Sequence, residues 1–293
     1  MFYIPKLNHL AVFAKDIKLS HSIFALPFVF VGILISPIDH ISIKQCFLIL
    51  LSMVSARSYA MGLNRYLDRS YDQLNPRTKN RAIPKKDIEP QSSLNWSLFF
   101  GLIFIMTSSF FNLKTCLLSI PLLGILGSYS LSKRFTFLCH LYLGFCLGLA
   151  PIGASMALTG TINTSLIYLS LAILFWTAGF DIIYATQDIV FDKKYNLQSI
   201  PSIFGIQRSI LISSLFFALM IFFLILCGYT KNCGWLFYLG VFIVSCILSY
   251  EIFLLRNLGK KNSHINITKI FFNMNAWVSV LFYFFVQLDH LFI

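Results

Sequence analysis

Long apolar runs separated by short polar gaps dominate this chain, and the runs have membrane length. A helix rises about 1.5 Å per residue, so about 20 apolar residues cross roughly 30 Å of hydrocarbon. Nine segments reach or approach that length: residues 20–36, 43–66, 92–112, 115–132, 136–157, 164–186, 207–228, 233–255 and 268–288. The pattern predicts an all-α, polytopic membrane bundle of nine transmembrane helices. The stretch before the first run carries Lys6, Lys15, Asp16 and Lys18 and lacks both a compact apolar region and a small-residue cleavage site. It reads as a short cytoplasmic arm and not as a signal peptide.

The polar gaps are unequal. Residues 67–91 and 187–206 form the two long ones, after the second and sixth predicted spans, and each opens on acidic residues. The first cluster is Asn64-Arg65-Tyr66-Leu67-Asp68-Arg69-Ser70-Tyr71-Asp72. The second runs from Asp181 through Tyr184 and Asp188 to Asp192. Asp-x-x-x-Asp occurs in both, 120 residues apart, which hints at two related four-helix halves and a ninth helix. Little else matches between the halves. With no low-complexity segment and no soluble insertion, residues 1–293 read as a single membrane domain.

Composition agrees with the pattern: 57% hydrophobic, 12% charged and a mean hydropathy of +0.76. The net charge of +12 looks at first like a nucleic-acid signal, but its distribution excludes that partner. With the N-terminus cytoplasmic and the spans alternating, 19 of the 23 basic residues fall on the inner side. Lys44, Lys114 and Lys231 fall outside, and Arg57 lies within a span. This is the positive-inside distribution of an integral, multi-pass protein of a bacterial inner membrane or its equivalent. The seven cysteines show no C-x-x-C pair and read as packing residues.

Acidic residues are scarce, which makes their placement informative. Five of 11 carboxylates sit in the two clusters. Charge near hydrocarbon is expensive and points into protein, not lipid. At about 100° per residue, Arg57, Asn64 and Asp68 make one polar stripe, and Asp181, Asp188 and Asp192 another if that helix runs unbroken. Paired carboxylates are what Mg²⁺ takes while it also binds substrate phosphates. Cations follow each cluster or lie between them: Arg69, Arg77, Lys79 and Arg81; Lys133 and Arg134; Lys193 and Lys194. Together these predict an intramembrane Mg²⁺–diphosphate site. The two Asp-x-x-x-Asp pairs, Asp68 with Asp72 and Asp188 with Asp192, would hold the metal. If an allylic diphosphate ionises there, an aromatic face shelters the cation by cation–π attraction, and Tyr184 is the candidate.

Asn64-Arg65-x-x-Asp68-Arg69-x-x-Asp72-x-x-Asn75-Pro76-Arg77-Thr78-x-x-Arg81 resembles the first signature of the UbiA superfamily of intramembrane prenyltransferases. Asp181-x-x-Tyr184-Ala185-x-Gln187-Asp188-x-x-x-Asp192 resembles its second. Ser132-Lys133-Arg134-Phe135-Thr136 and Leu197-x-Ser199-Ile200-Pro201 are similar to further family stretches. The resemblance covers the whole nine-span layout. It implies a central cavity open laterally to lipid, Mg²⁺ between the acidic motifs, and transfer of a polyprenyl chain from its diphosphate to an aromatic acid. One departure stands out: Arg65 replaces the first Asp of the Asn-Asp-x-x-Asp found in many members. That leaves open how many metals the first motif holds and favours a quinone-pathway branch.

Carried onto these positions, the resemblance implies that Asn64, Asp68 and Asp72 are metal ligands on one side and Asp188 and Asp192 on the other, that Lys133 contacts diphosphate and that Arg134 pairs with the acceptor's carboxylate. Asp181 would orient or activate the acceptor. Arg57, Arg69, Arg77, Arg81 and Lys193 complete the expected diphosphate set. The acceptor expected first is 4-hydroxybenzoate, with a dihydroxynaphthoate on a menaquinone route as the alternative. A cation-coupled transporter is the competing class; it would carry Gly- or Pro-broken helices near the midplane, whereas these acids cluster toward the inner ends, where the site would open on the cytoplasm.

Overall fold

The computed structural model describes residues 7–18, 26–38, 40–258 and 267–292. Its helices in chain order are α1 Leu7–Asp16, α2 Leu26–Ile35, α3 Ile43–Leu67, α4 Arg69–Leu74, α5 Pro90–Ser109 and α6 Leu113–Ser128. They continue with α7 Cys139–Thr159, α8 Thr164–Ala185, α9 Ile189–Lys194, α10 Ile200–Lys231, α11 Trp235–Leu258 and α12 Ile267–Phe292. Two 3-10 turns, Tyr129–Arg134 and Thr186–Asp188, complete the list, and no strand occurs among the described residues.

A helix lies in each predicted apolar segment, although residues 20–25 of the first, and Lys6, Lys260 and Lys261, lie outside the described residues. Six helical stretches among the described residues are long and apolar enough to cross a membrane. They are α3, α6 with its 3-10 turn, α7, α8 with α9, α10 and α11. The described part of α2 is only 10 residues long, and α5 opens on the polar run Pro90–Ser97.

The chain divides into two compact units. The first comprises Met1–Ile23 and Asp39–Leu131. Within it α3 packs on α5 and α6. A capping box starts α3: Ser42 Oγ accepts from Gln45 N at 3.2 Å, and Gln45 Oε1 accepts from Ser42 N at 2.9 Å. Phe13 and Ile17, at the end of α1, bury themselves with Ala82, Ile83 and Ile88 of the loop after α4. Burying each of those two side chains is worth roughly 1.5–3 kcal/mol. Asp16 adds polar anchors: Oδ1 accepts from Ala82 N at 2.9 Å, and Oδ2 lies 3.6 Å from Arg65 Nε. The arm is therefore tied to the segment that carries the first acids.

The second unit comprises Phe24–Ile38 and Ser132–Ile293. Its apolar core gathers α2, α8, α10, α11 and α12. Helices α7 and α8 run antiparallel and approach closely because Gly144 and Gly148, four residues apart, carry no side chain. A Cβ on Gly144 would lie 2.3 Å from the Leu174 carbonyl oxygen, and one on Gly148 2.7 Å from that of Ser170. Small residues at this spacing are the usual means of bringing membrane helices together. A buried polar chain links three helices: Trp176 Nε1 donates to Asn275 Oδ1 at 2.9 Å, and Asn275 Nδ2 donates to Glu251 Oε1 at 3.1 Å. Asp289 accepts from Gly234 N and Phe237 N, supplying the start of α11 with a cap from α12.

Helix α10 begins seven residues before the predicted span. Ser199 opens it with a capping box, but Gly205, at φ 76° and ψ 175°, breaks it after one turn. The sequence pattern marks only the long helix beyond the glycine. A second difference concerns the acids. The stripe through Asp181, Asp188 and Asp192 assumes an unbroken helix, yet α8 ends at Ala185 and a 3-10 turn intervenes. That turn winds more tightly than an α-helix, and Asp188 itself leaves the helical conformation, so the three acids do not lie on one continuous α-helix.

Candidate functional site

In the first unit, α3 ends on Asp68, whose φ of −93° and ψ of 7° interrupt the helix before the six-residue α4. The break leaves Asn64 and Asp68 on the same side, where Asn64 Nδ2 donates to Asp68 Oδ2 at 2.8 Å. Arg65, 6% exposed, donates from Nη1 to Asn64 Oδ1 at 3.0 Å, so both ends of the amide are engaged. Asp72 is buried at 6% exposure, and Arg81 Nη1 reaches its two oxygens at 2.6 and 2.7 Å. The loop between them is folded by Asn75 Oδ1 accepting from Arg77 N and by Thr78 Oγ1 donating to the Asp72 carbonyl.

The second unit repeats the backbone device. Asp188, at φ −99° and ψ 4°, separates α8 and its 3-10 turn from the six-residue α9. Asp192 is fully buried and receives two partners: Lys133 Nζ at 2.7 Å on Oδ1 and the Ser199 hydroxyl at 2.9 Å on Oδ2. The segment 132–140 is stitched to this acidic stretch at further points. Gln198 N donates to the Lys133 carbonyl at 2.8 Å, Cys139 Sγ to the Gln198 carbonyl at 3.6 Å, and His140 Nδ1 lies 2.7 Å from Asp181 Oδ2. The glycine-mediated approach of α7 to α8 puts that last pair in register.

The residues expected at a site thus fall into several states. The structure brings Asn64 to Asp68, Arg81 to Asp72 and Lys133 to Asp192. Arg69 folds back on α3: its guanidinium lies 4.4 Å from the Tyr66 ring centroid, and Nη1 donates to the Tyr66 carbonyl at 2.6 Å. Arg77 and Lys193 are exposed, while Arg134 and Tyr184 are half-buried, at the ends of their 3-10 turn and of α8. Arg57 sits in mid-α3 with its Nε buried and without a hydrogen-bond partner among the described residues. Sequence reasoning missed His140, the contact of Ser199 with Asp192 and the Asp16–Arg65 pair. A histidine inside the apolar run 136–157 was the available signal for the first; the others depend on contacts that spacing does not encode.

Oxygen donors dominate both segments, which suits a hard cation. Among the described residues no three His, Cys, Asp or Glu side chains converge on one point. A metal here would be held by one or two carboxylates and fill its shell with phosphate oxygens and water. That is the binding habit of Mg²⁺, so the donor set fits it.

A family model, the UbiA prenyltransferase family, matches residues 25–286. The chain is 32% identical over 193 residues to 4-hydroxybenzoate geranyltransferase 2 of Lithospermum erythrorhizon, a match covering 65% of this chain and 62% of that relative. The chain thus spans less than two thirds of that plant protein's length. It is 30% identical over 205 residues to 4-hydroxybenzoate octaprenyltransferase of Marinomonas sp. (strain MWYL1), covering 70% of this chain and 72% of that one. Among solved structures, the apo form of a UbiA homologue from Aeropyrum pernix K1 superposes with a TM-score of 0.83 at 26% identity, covering 92% and 98% of the two chains. A homologue from Archaeoglobus fulgidus, bound to GPP and Mg²⁺, shares the fold at 18% identity with a TM-score of 0.68, covering 95% of this chain and 99% of that one.

Proposed function

Because the chain belongs to the UbiA prenyltransferase family, we propose that it transfers a polyprenyl group from its diphosphate to the ring of a hydroxylated aromatic acid. The acceptor is 4-hydroxybenzoate on this reading, in line with the names of the relatives above. The observation that carries the proposal is the repeated device: an Asp that breaks a helix, and a buried Asp four residues on with a cation against it. The reading takes the chain as one domain of nine spans with a cytoplasmic N-terminus and a site opening on that side. The concentration of basic residues in alternate gaps supports that orientation.

Asn64, Asp68 and Asp72 of the first segment would bind Mg²⁺, and so would Asp188 and Asp192 of the second. Mg²⁺, when bound, neutralises the charge that collects on diphosphate as it leaves. The remaining work falls to the protein's own residues. Arg81 and Lys133 neutralise Asp72 and Asp192 in this structure. Those cations would also be placed to hold diphosphate oxygens, with Arg57, Arg69, Arg77 and Lys193. Arg134 grips the acceptor's carboxylate through a two-pronged hydrogen bond. Asp181 accepts from the acceptor's hydroxyl, which enriches the neighbouring ring carbon in electrons, and Tyr184 offers an aromatic face to the allylic cation; that carbon bonds to the cation as diphosphate departs, and the ring proton it displaces goes to a base.

The test is direct. Purified chain in detergent receives Mg²⁺, a prenyl diphosphate and labelled 4-hydroxybenzoate or a labelled dihydroxynaphthoate. One acid becomes lipid-soluble, and excess EDTA abolishes the product while the helical content stays unchanged. Product formation in excess EDTA removes the metal from the reading. Labelling of the naphthoate alone moves the protein to the alternative acceptor.

A further inference from the structure

We propose that His140 is a positioning residue for the acceptor. It holds one oxygen of Asp181 so that the other accepts the hydrogen of the acceptor's ring hydroxyl. The inference rests on the proposed function and assigns a role to a residue that function does not use.

Three observations carry it. His140 Nδ1 lies 2.7 Å from Asp181 Oδ2, and an ionised carboxylate only accepts, so the ring hydrogen sits on Nδ1. The pair is graded in exposure: the His140 side chain is 2% exposed and that of Asp181 25%. One member is therefore locked in protein while the other keeps part of its surface uncovered. Finally, His140 Nε2 is buried and makes no hydrogen bond among the described residues. A histidine kept only to join α7 to α8 is a poor explanation. The approach of Gly144 and Gly148 to the α8 backbone already joins them, and an apolar pair of the same shape would serve as well.

The physical role follows. A carboxylate with no fixed partner beside hydrocarbon is free to swing toward water. A short N–H bond from a buried ring opposes that by fixing the carboxylate's orientation. Oδ1, which His140 leaves alone, is then presented to a phenolic hydroxyl. Partners of this kind, placed behind a working group, change activity by about 10–100-fold when removed.

Steady-state kinetics on the full chain with Mg²⁺, prenyl diphosphate and the acceptor that wild type uses test the proposal. His140→Ala lowers kcat at least about tenfold and leaves the KM for prenyl diphosphate within twofold. Asp181→Asn does the same, and the double variant is no worse than Asp181→Asn alone, because the histidine acts through the carboxylate. His140→Asn, whose amide N–H can replace Nδ1–H, recovers at least half of the lost rate and covers the case in which His140→Ala does not fold. Multiplying losses, a parallel rise in donor KM, no rescue by His140→Asn, or wild-type rate in His140→Ala overturns the role of His140 and leaves the proposed function standing. A wild type that prenylates neither acid overturns both.

Discussion

The two acidic segments share a backbone and differ in what holds them. Asp68 and Asp188 have nearly the same dihedral angles, and each precedes a six-residue helix with a buried Asp at its fourth residue. Yet Asp72 takes its partner, Arg81, from nine residues further along the same loop, whereas Asp192 takes Lys133 from a segment 59 residues earlier. The acid–cation pair of the first cluster is local. That of the second draws on the 132–140 segment, which α7 carries against α8. The same local signal thus reaches the same shape by a short-range and a long-range route.

The largest expected effect tests that difference. Lys133→Met leaves a fully buried Asp192 with a single hydroxyl partner, Ser199. Removing one member of a buried pair costs about 3 kcal/mol or more. Arg81→Met strips Asp72 as well, but the Asp72 side chain, on the short α4, keeps 8% exposure against none for Asp192, so about half that loss is expected. Thermal unfolding midpoints in one detergent compare the two. The double variant Lys133→Met/Asp192→Leu should regain most of the lost stability and remain inactive, because it removes both charges together. An equal or larger drop for Arg81→Met would reverse the comparison.

Backbone strain separates the segments next. Gly205, after the second cluster, has a φ of 76° and ψ of 175°, a conformation almost closed to residues with a side chain. Gly205→Ala should cost about 1–3 kcal/mol by forcing the first turn of α10, and Ser199 with it, out of place. After the first cluster the left-handed position is Lys86, at φ 65°. There Lys86→Gly should be neutral or stabilising by under about 1 kcal/mol. Matching losses at both positions would show that the glycine break is not special to the second segment.

Ser199 has two duties: it caps α10 by accepting from Ser202 N at 3.2 Å and donates to Asp192. Ser199→Ala should lower stability by about 1–2 kcal/mol, the usual worth of a cap plus a hydrogen bond. Ser199→Thr, which retains the hydroxyl, should recover most of it in the same unfolding assay. Failure of Thr to do so would assign the loss to packing.

The legibility of the chain follows the same division. Apolar runs announce helices because membrane length depends on composition alone, and the acids stand out because carboxylates are rare beside hydrocarbon. Asn64 and Asp68 were readable as neighbours since both lie within one helical turn of each other. His140 with Asp181 and Lys133 with Asp192 were not, because their meeting depends on the glycine contact of α7 with α8 and not on any repeat. The helix break between Asp181 and Asp192 was not readable for a local reason: nothing in Thr186-Gln187-Asp188 announces that the helix tightens there. The onset of α10 was hidden by Gly205, which splits one helix into a capped turn and a long span.

The smallest effect on stability is expected at the residue after each helix-breaking Asp, where the segments differ in kind: Arg69 in the first, Ile189 in the second. Arg69 is exposed, lies over the Tyr66 ring and donates to the Tyr66 carbonyl. Exposed contacts of this sort add little, so Arg69→Ala should leave the unfolding midpoint where it is. Its value under the proposed function is for binding. A guanidinium next to Asp68 is one side-chain rotation from any diphosphate held there, and arginine holds phosphate oxygens in pairs. Arg69→Ala should therefore raise the KM for prenyl diphosphate several-fold without changing that for the aromatic acid. Ile189→Ala, with no charge to lose, should leave both constants alone. An Arg69→Ala enzyme with an unchanged donor KM would mean that the Tyr66 stack is the resting place of Arg69 in the working enzyme too, and that the first segment binds diphosphate through its other cations.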